Sequence, residues 1–222
     1  MVDVAGNLRK LKAETGDNVC LVAVSKVHPA TLIMDAYNAG QRVFGENRVQ
    51  ELLEKQNQLP QDIQWHFIGH LQSKKVKYIA PFIDLIHSID SVKLLEEVNT
   101  HAQVNDRIIR VLLQIHIAQE ETKYGFSYEE CRQLLVRQNR NFLPNVRICG
   151  LMGMATFTND TGQIKKEFAG LRLFFRELKE MFFAPEKDFN ILSMGMSDDY
   201  PVAIQEGSNM IRVGSKIFGT RE

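Results

Sequence analysis

The chain has 222 residues, of which 44% are hydrophobic and 24% charged, the composition of a globular protein. Its 27 basic residues balance its 27 acidic residues, so a net charge of zero offers no broad attraction for nucleic acid or an anionic membrane. The start MVDVAGNLRK lacks the apolar core of a secretory signal, and no uncharged apolar run approaches the roughly 18 residues of a membrane span. The three widely spaced cysteines indicate neither a disulfide framework nor a metal knuckle. These features predict a reduced, cytoplasmic protein without membrane or nucleic-acid partners.

Short apolar runs alternate along the chain with segments of helical spacing. The predicted strands cover residues 19–25, 42–45, 64–68, 84–87, 108–117, 146–152, 190–194 and 210–213. The predicted helices cover residues 47–54, 91–98, 127–136 (with a capping box of Ser127 and Glu130) and 163–183, and another has Pro201 in its first turn. Because parallel strands need crossover connections, this α/β alternation predicts a parallel sheet. Eight repeats favour a closed (β/α)8 TIM barrel over an open doubly wound sheet, as a single domain over residues 1–222.

Polar, small and ionisable residues collect where the predicted strands end, and that end of a barrel carries the active site. They are Ser25-Lys26, Glu46-Asn47, His66 to His70, His87-Ser88, His116, Met152 to Met154, Ser193 to Ser197 and Arg212 to Ser215. The loops after strands seven and eight are rich in Gly and Ser, and Ser215 is predicted to begin a short helical turn that runs to Phe218. Barrel phosphate sites are commonly built from these two loops and a helix start, so the pattern indicates an anion site.

The stretch LVAVSK runs an apolar strand into Lys26. On its own, Lys26 is most simply a loop lysine whose amine extends to solvent. A lysine buried in a barrel mouth would instead have a lowered pKa, since desolvation disfavours the ammonium, and its neutral amine could form a Schiff base with a carbonyl. An aldehyde that also carries a phosphate would satisfy Lys26 and the two loops together, and pyridoxal 5′-phosphate is such a molecule.

Seven motifs occur in order: AVSKVHP, FGENRVQEL, WHFIGHLQSKK, HSID, TKYGF, GLMGMA and SMGMSDDYPVAIQEGSNMIRVGSKIFG. From about Val19 to the C-terminus they resemble the pyridoxal phosphate homeostasis protein family, single-domain cofactor-binding barrels of fold type III related to the N-terminal domain of alanine racemase. The resemblance implies that pyridoxal phosphate is held on Lys26 as a Schiff base, the internal aldimine. It implies further cofactor contacts, to the phosphate from Ser193, Ser197, Gly214 and Ser215, to the ring from Asn47 and Met194, and to the pyridine nitrogen or the phosphate from Arg212.

Two positions depart from the family's pattern. Lys74 stands where the family usually has asparagine, and His116 stands where a small polar residue such as asparagine is expected. Lys123 matches a family lysine, and together with Lys74 and Lys75 it is a candidate for a second, transient attachment.

Carboxylates also lie near predicted helix starts. Asp198 and Asp199 are predicted to cap the helix that contains Pro201, and Glu46 to favour the start of the helix that follows it.

Three functions compete: a cofactor carrier, a racemase-like enzyme dependent on pyridoxal phosphate, and a metal-dependent barrel hydrolase. His66 and His70, with His87 or His116, could surround a metal, but no carboxylate is placed as a bridging ligand, and His66 is more simply a hydrogen-bonded interior residue. Related racemases take a second acid–base group from an additional β domain, for which the sequence to Glu222 leaves no room. We therefore expect an open, wet mouth and little or no catalysis. We expect a monomer that takes part in intracellular cofactor homeostasis and delivery, with apo enzymes as candidate recipients.

Overall fold

The fold is a closed barrel of eight parallel strands. The structure is a computed structural model that describes residues 2–137, 143–184 and 187–219. Within these residues the strands are β1 Cys20–Val24, β2 Val43–Glu46, β3 Gln64–Phe67, β4 Leu85–Ile89, β5 Ile109–Ile115, β6 Val146–Gly153, β7 Ile191–Ser193 and β8 Met210–Val213. Each strand pairs with the next, and β1 pairs with β8, so the sheet has no edge. The predicted single-domain (β/α)8 barrel is confirmed, while residues 1, 138–142, 185–186 and 220–222 of the predicted domain lie outside the described ranges.

Helices connect the strands. They are α1 Val4–Thr15, α2 Ala30–Asn38, α3 Val49–Gln58, α4 Val76–Ile79, α5 Val92–Val104, α6 Tyr128–Arg137, α7 Thr161–Phe182, α8 Tyr200–Gln205 and α9 Ser215–Phe218, with a short 3₁₀ turn at Ser73–Lys75. The predicted capping box begins α6, because the Ser127 N–H donates to Glu130 at 2.8 Å and the Glu130 N–H donates to Ser127 Oγ at 3.1 Å. Among the described residues, none of the helices combines the length and apolar character that crossing a membrane requires.

Helix α1, like α2 and α4, is not among the helices predicted from the sequence. Its buried side chains are Val4, Leu8 and Leu11, a stripe of three apolar residues that is short beside that of α7. Asn7 Nδ2 donates to the Ile217 carbonyl oxygen at 3.0 Å. That bond ties α1 to α9, so tertiary contact supports a helix whose own pattern is weak.

Seven apolar side chains of the strands form a cluster of their own. This cluster comes from six strands and consists of Val22, Leu85, Leu112, Cys149, Met152, Ile191 and Met210. A larger apolar cluster packs the strands against the surrounding helices. Because the smaller cluster is separate from the one that packs against the helices, it fills the inside of the barrel, which is a packed core rather than a pore.

Strand β6 contains a local irregularity where it pairs with β5 next to Val111 and Leu112. Gly150 lies there with φ of 152°. A Cβ atom at Gly150 would stand 1.8 Å from the Ile191 carbonyl oxygen. Glycine is therefore required for β6 to approach β7 at this point.

Candidate functional site

Lys26 lies half-buried in the turn that follows β1. The Ser25 N–H continues the ladder to the Gly45 carbonyl at 3.1 Å, and the His28 N–H donates to the Ser25 carbonyl at 3.1 Å. Val27 has φ of +64°, a left-handed conformation that β-branched residues rarely adopt. A positive φ at the third residue is typical of a type II turn, which here has Lys26 at its second position.

A buried ion cluster lies beside this turn. Lys55 Nζ, from α3, donates to Glu46 Oε1 at 2.6 Å, to Glu51 Oε1 at 2.6 Å and to the Ser25 carbonyl at 2.8 Å. The Ser25 hydroxyl donates to the same Glu46 oxygen at 2.6 Å. Burial raises the pKa of Glu46, and the contacts with Lys55 and Ser25 work against that rise.

The prediction for Glu46 was wrong, because its carboxylate pairs with Lys55 and not with the start of α3, where Arg48 is the N-cap residue. Lys55 was not among the predicted site residues. The signal that could have suggested it is the Glu51–Lys55 spacing of four residues on one helix.

Asn47 follows β2 at the same level as Lys26, since Val24 pairs with Gly45 in the β1–β2 register. Its amide oxygen is buried without a hydrogen-bond partner in the described part of the chain. A Cβ atom on Gly69 would stand 2.4 Å from the Asn47 carbonyl oxygen. The chain after β3 therefore passes directly over Asn47, and a buried acceptor is left for a ligand to satisfy.

Arg212 is 4% exposed and joins the ends of three strands. Its guanidinium donates to the Ser193 carbonyl at 3.0 Å, to Ser193 Oγ at 2.5 Å and to the Gly153 carbonyl at 3.1 Å. Burial lowers the pKa of Arg212 to about 10, against the attraction of Asp199. The side chain therefore stays charged at neutral pH, fixed at the end of the barrel that carries Lys26.

Two buried histidines continue from Ser193 across the barrel interior. His87 Nδ1 lies 3.2 Å from Ser193 Oγ, His87 Nε2 lies 3.0 Å from His66 Nδ1, and His66 Nε2 lies 3.2 Å from Asp84 Oδ2. Burial lowers the pKa of both histidines, and the charges of His66 and Arg212 add to the lowering at His87. The interior, hydrogen-bonded placement predicted for His66 is confirmed.

Of the histidines considered as metal ligands, His66 and His87 meet, but His70 and His116 contact other partners. His70 is exposed, hydrogen-bonded to Asp90 at 2.9 Å and stacked on Tyr124 with ring centroids 3.9 Å apart. Within the described ranges, no group of three or more His, Cys, Asp or Glu side chains is arranged to hold a metal ion. The geometry offers the metal-dependent alternative no ligand set there.

The two predicted phosphate loops meet each other and the end of β1. The Gly214 N–H donates to Ser197 Oγ at 3.3 Å. A Cβ atom on Gly214 would stand 3.0 Å from the Val24 carbonyl oxygen, two residues before Lys26. Ser215 begins α9 and is exposed, while Met194 is wholly buried. Glycine at position 214 thus lets a loop rich in N–H donors approach the lysine turn.

Asp199 occupies the N-cap position of α8 without capping it. Its carboxylate accepts from the Met196 N–H at 2.6 Å, and no side-chain cap bond forms to α8. The predicted capping role was therefore wrong, and Asp199 instead closes the loop after β7. Burial raises the pKa of its carboxyl group.

Lys123 and His116 lie where the loops after β5 and β6 are joined. Lys123 Nζ donates to the Ala155 carbonyl at 2.7 Å and pairs with Glu120 at 2.9 Å, and the His116 ring lies 2.9 Å from the Glu120 carbonyl. Hydrogen bonds from the Phe157 N–H and from Lys123 lower the pKa of Glu120 to about 2. These contacts give His116 and Lys123 a role in holding the rim of the mouth.

Lys74 and Lys75 lie in the 3₁₀ turn after β3, and both are exposed. Both lysines lie at the same end of the barrel as Lys26, but on the outer surface of the protein.

The arrangement suits a small polar ligand with an aldehyde and an anionic group. The strand pairing and the Gly214 approach bring an amine on Lys26, the unpartnered oxygen of Asn47 and the Gly214 loop to one barrel end. Ser88 Oγ is also buried without a hydrogen-bond partner in the described part of the chain. Orphaned polar atoms and a glycine-lined cradle are features that a bound cofactor would complete.

Comparison with known proteins first defines the class. Residues 3–222 match the family model for alanine racemase, N-terminal domain. This match and the closed barrel identify the chain as a barrel of the alanine racemase N-terminal type.

Relatives then define the family. A pyridoxal phosphate homeostasis protein of Aquifex aeolicus (strain VF5) is 38% identical over 217 residues, covering 95% of this chain and 91% of that protein. The protein of the same name from Homo sapiens is 40% identical over 212 residues, 91% of this chain and 76% of that protein. Structures of PipY from Synechococcus elongatus PCC7942, without PLP and with PLP bound, are 39% identical, cover 97% of this chain and 100% of theirs, and superpose with TM-scores of 0.90 and 0.87. The chain belongs to the pyridoxal phosphate homeostasis protein family, as its motifs predict.

Proposed function

We propose that the protein binds pyridoxal 5′-phosphate covalently through Lys26 and takes part in intracellular homeostasis and delivery of that cofactor, with little or no catalysis of its own. When bound, the cofactor supplies an aldehyde carbon that condenses with a primary amine and releases water. The single observation that carries the proposal is the approach of the Gly214 loop to the end of β1, because it brings the loop predicted to bind an anion close to the lysine turn. PipY, which is 39% identical to this chain, has been solved with PLP bound.

Different residues would bind the aldehyde and the phosphate of the cofactor. Lys26 provides the amine, while Ser197, Gly214 and Ser215 would hold the phosphate through hydroxyl and N–H groups. Ser193 is predicted to join them, and its hydroxyl also contacts Arg212 and His87. In the proposal Ser193 therefore acts as the acceptor that orients Arg212.

Arg212, Asn47 and Met194 would lie near the cofactor ring. A guanidinium whose pKa is about 10 does not give up its proton at neutral pH. Next to a pyridine nitrogen, such a group keeps that nitrogen unprotonated and weakens the ring as an electron sink. This is a physical reason for binding without efficient carbanion chemistry.

Absorbance spectroscopy tests the central part of the proposal. The purified protein mixed with pyridoxal phosphate should develop a visible band, and borohydride reduction should fix the added mass on the peptide that contains Lys26. Lys26→Ala should abolish both signals, while Lys10→Ala, the matched control at an exposed position of α1, should retain them. Unaltered protein that stays colourless and unmodified would overturn the proposal.

A racemase-like enzyme is the second candidate, and the match to the alanine racemase N-terminal domain is the observation that favours it. The two readings differ in turnover. Loaded protein should interconvert amino-acid enantiomers no faster than the same concentration of free cofactor, and turnover well above that level would establish the enzyme reading.

We also propose a cellular location for the protein and a class of partner proteins. We infer a cytoplasmic monomer that passes its cofactor to apo enzymes dependent on it. The three free cysteines, Cys20, Cys131 and Cys149, suit a reducing compartment. The test is transfer from loaded protein to an apo enzyme while a scavenger traps free cofactor. Transfer that the scavenger suppresses completely would contradict delivery by direct contact.

A further inference from the structure

Two residues one turn apart on α3 hold the backbone on both sides of Lys26. Lys55 Nζ donates to the Ser25 carbonyl at 2.8 Å, immediately before Lys26. The Glu51 carboxylate accepts the Val27 N–H, immediately after Lys26. Lys55 and Glu51 also pair with each other at 2.6 Å, so the two contacts form one connected unit. The lysine turn is thereby fixed to α3, a helix that begins only after β2.

Packing of the Val27 side chain does not explain its left-handed backbone. Val27 has φ of +64° and is 57% exposed. An unfavourable backbone conformation persists only where the surroundings impose it. Two backbone contacts are available to do so here: the turn bond from the His28 N–H to the Ser25 carbonyl and the contact between the Val27 N–H and Glu51.

The charges around Glu51 favour this arrangement. The Glu51 side chain is 19% exposed and the Lys55 side chain 8%, so solvent screens their attraction less than at an open surface. A carboxylate held in this way accepts a backbone N–H more strongly than a neutral acceptor would. Glu46, wholly buried, fixes Lys55 from the other side at 2.6 Å.

We propose that Glu51, anchored by Lys55, is a positioning residue that holds the turn from Ser25 to His28 in its strained shape and so presents the Lys26 amine to the barrel mouth. The inference rests on the proposed function, in which Lys26 is the point of attachment. Loss of the Glu51 contact lets φ of Val27 relax to negative values, which changes the backbone on the carbonyl side of Lys26. The amine then samples more orientations and meets an aldehyde in the productive one less often.

A pair of substitutions separates this role from general stabilisation. Glu51→Ala removes the acceptor, and Val27→Gly removes the cost of a positive φ, since glycine adopts it freely. Glu51→Ala should slow covalent attachment of pyridoxal phosphate at least tenfold. Adding Val27→Gly should restore most of the rate. Glu54→Ala, at an exposed position of the same helix, is the matched control and should leave the rate unchanged.

Hydrogen exchange in the cofactor-free protein supplies a second readout. The Val27 amide should exchange at least tenfold faster in Glu51→Ala than in unaltered protein or in Glu54→Ala. Glu51→Gln keeps a neutral acceptor and should show intermediate values for both readouts, which also covers a failure of the alanine variant to fold. An attachment rate within twofold of the unaltered protein in both Glu51 variants, or a failure of Val27→Gly to rescue, would overturn the inference.

The two proposals fail in different ways. If the unaltered protein takes up no pyridoxal phosphate, the proposed function is wrong, and exchange at Val27 still decides whether Glu51 holds the turn. If the unaltered protein is modified at Lys26 but the Glu51 variants react at the same rate, only the positioning role is wrong.

Discussion

Lys55→Met removes the cation beside a wholly buried carboxylate. In the native protein Lys55 Nζ makes three contacts, to Glu46, to Glu51 and to the Ser25 carbonyl, at 2.6, 2.6 and 2.8 Å. Methionine has a similar reach, so the loss is mainly one of charge and hydrogen bonds. Breaking one side of a buried ion pair costs about 3–5 kcal/mol. Since 1 kcal/mol shifts Tm by roughly 2–4 °C in a domain of this size, we expect a Tm lower by about 6–20 °C.

The cost should depend on pH in a defined direction. Burial already raises the pKa of Glu46, and Lys55 opposes that rise. Without Lys55 the pKa rises further above that of the unfolded chain, so the folded variant takes up a proton more readily than the unfolded one. Stability that comes from the protonated carboxyl group is present at low pH and lost as the pH rises. The difference from the unaltered protein should be largest above pH 7 and shrink toward pH 5.

Denaturant unfolding of the cofactor-free protein at pH 5, 6.5 and 8 measures this effect. Lys10→Met, at an exposed position of α1, is the control and should stay within about 0.5 kcal/mol of the unaltered protein. Glu46→Gln combined with Lys55→Met should recover much of the loss, because the wholly buried charge at position 46 is then removed. A Lys55→Met cost below about 1 kcal/mol at pH 8, or one that grows toward pH 5, would refute the reasoning.

Three further predictions concern other parts of the barrel. Burial holds the pKa of His87 well below 6.5, so Tm should fall as the pH drops below that value, and His87→Gln should flatten the slope measured by calorimetry. Gly150→Ala should lower the free energy of unfolding by more than about 3 kcal/mol, since its Cβ would stand 1.8 Å from the Ile191 carbonyl oxygen. Denaturant unfolding measures this change, and a smaller decrease would show that β6 can shift to make room for the methyl group. Glu177→Gln removes the negative charge and one of the two oxygens that accept from Arg132 at 2.5 and 2.9 Å. At this part-exposed pair the cost should be below about 1 kcal/mol and should decrease at 1 M salt.

The barrel could be predicted because its evidence is local and repeated. Each strand leaves an apolar run, and a long helix such as α7 leaves an apolar stripe, so much of the order of elements follows from patterns within ten to twenty residues. Helix α1 was not predicted because its apolar stripe is short and because it is stabilised by a contact with α9, which lies far along the chain. Lys26, Gly214 and Ser215 could be proposed as site residues because a barrel brings the ends of its strands together, whichever residues they carry.

The ion cluster and the histidine chain could not be predicted in the same way. The burial that gives Glu46 its role comes from residues brought together by the closed sheet, whereas its position before a helix favoured a different interpretation. His66 and His87 are 21 residues apart, and only the β3–β4 pairing brings His87 Nε2 to 3.0 Å from His66 Nδ1. A hydrogen-bond network inside a barrel depends on which side chains of neighbouring strands point inward next to each other. The strand register determines this, and the register is known only once the sheet is formed.

The pairing of β1 with β8 has a consequence for how the protein folds. Cys20 pairs with Met210 and Ala23 with Val213, so the seam closes between segments that lie far apart along the chain. Contacts of such long range carry a large loop-closure entropy and slow folding. Lys26 and Gly214 flank this seam, so a nascent chain would carry an incomplete site until β8 has been synthesised. A variant that weakens the seam should therefore slow acquisition of cofactor-binding competence during refolding more than it slows formation of helical circular dichroism.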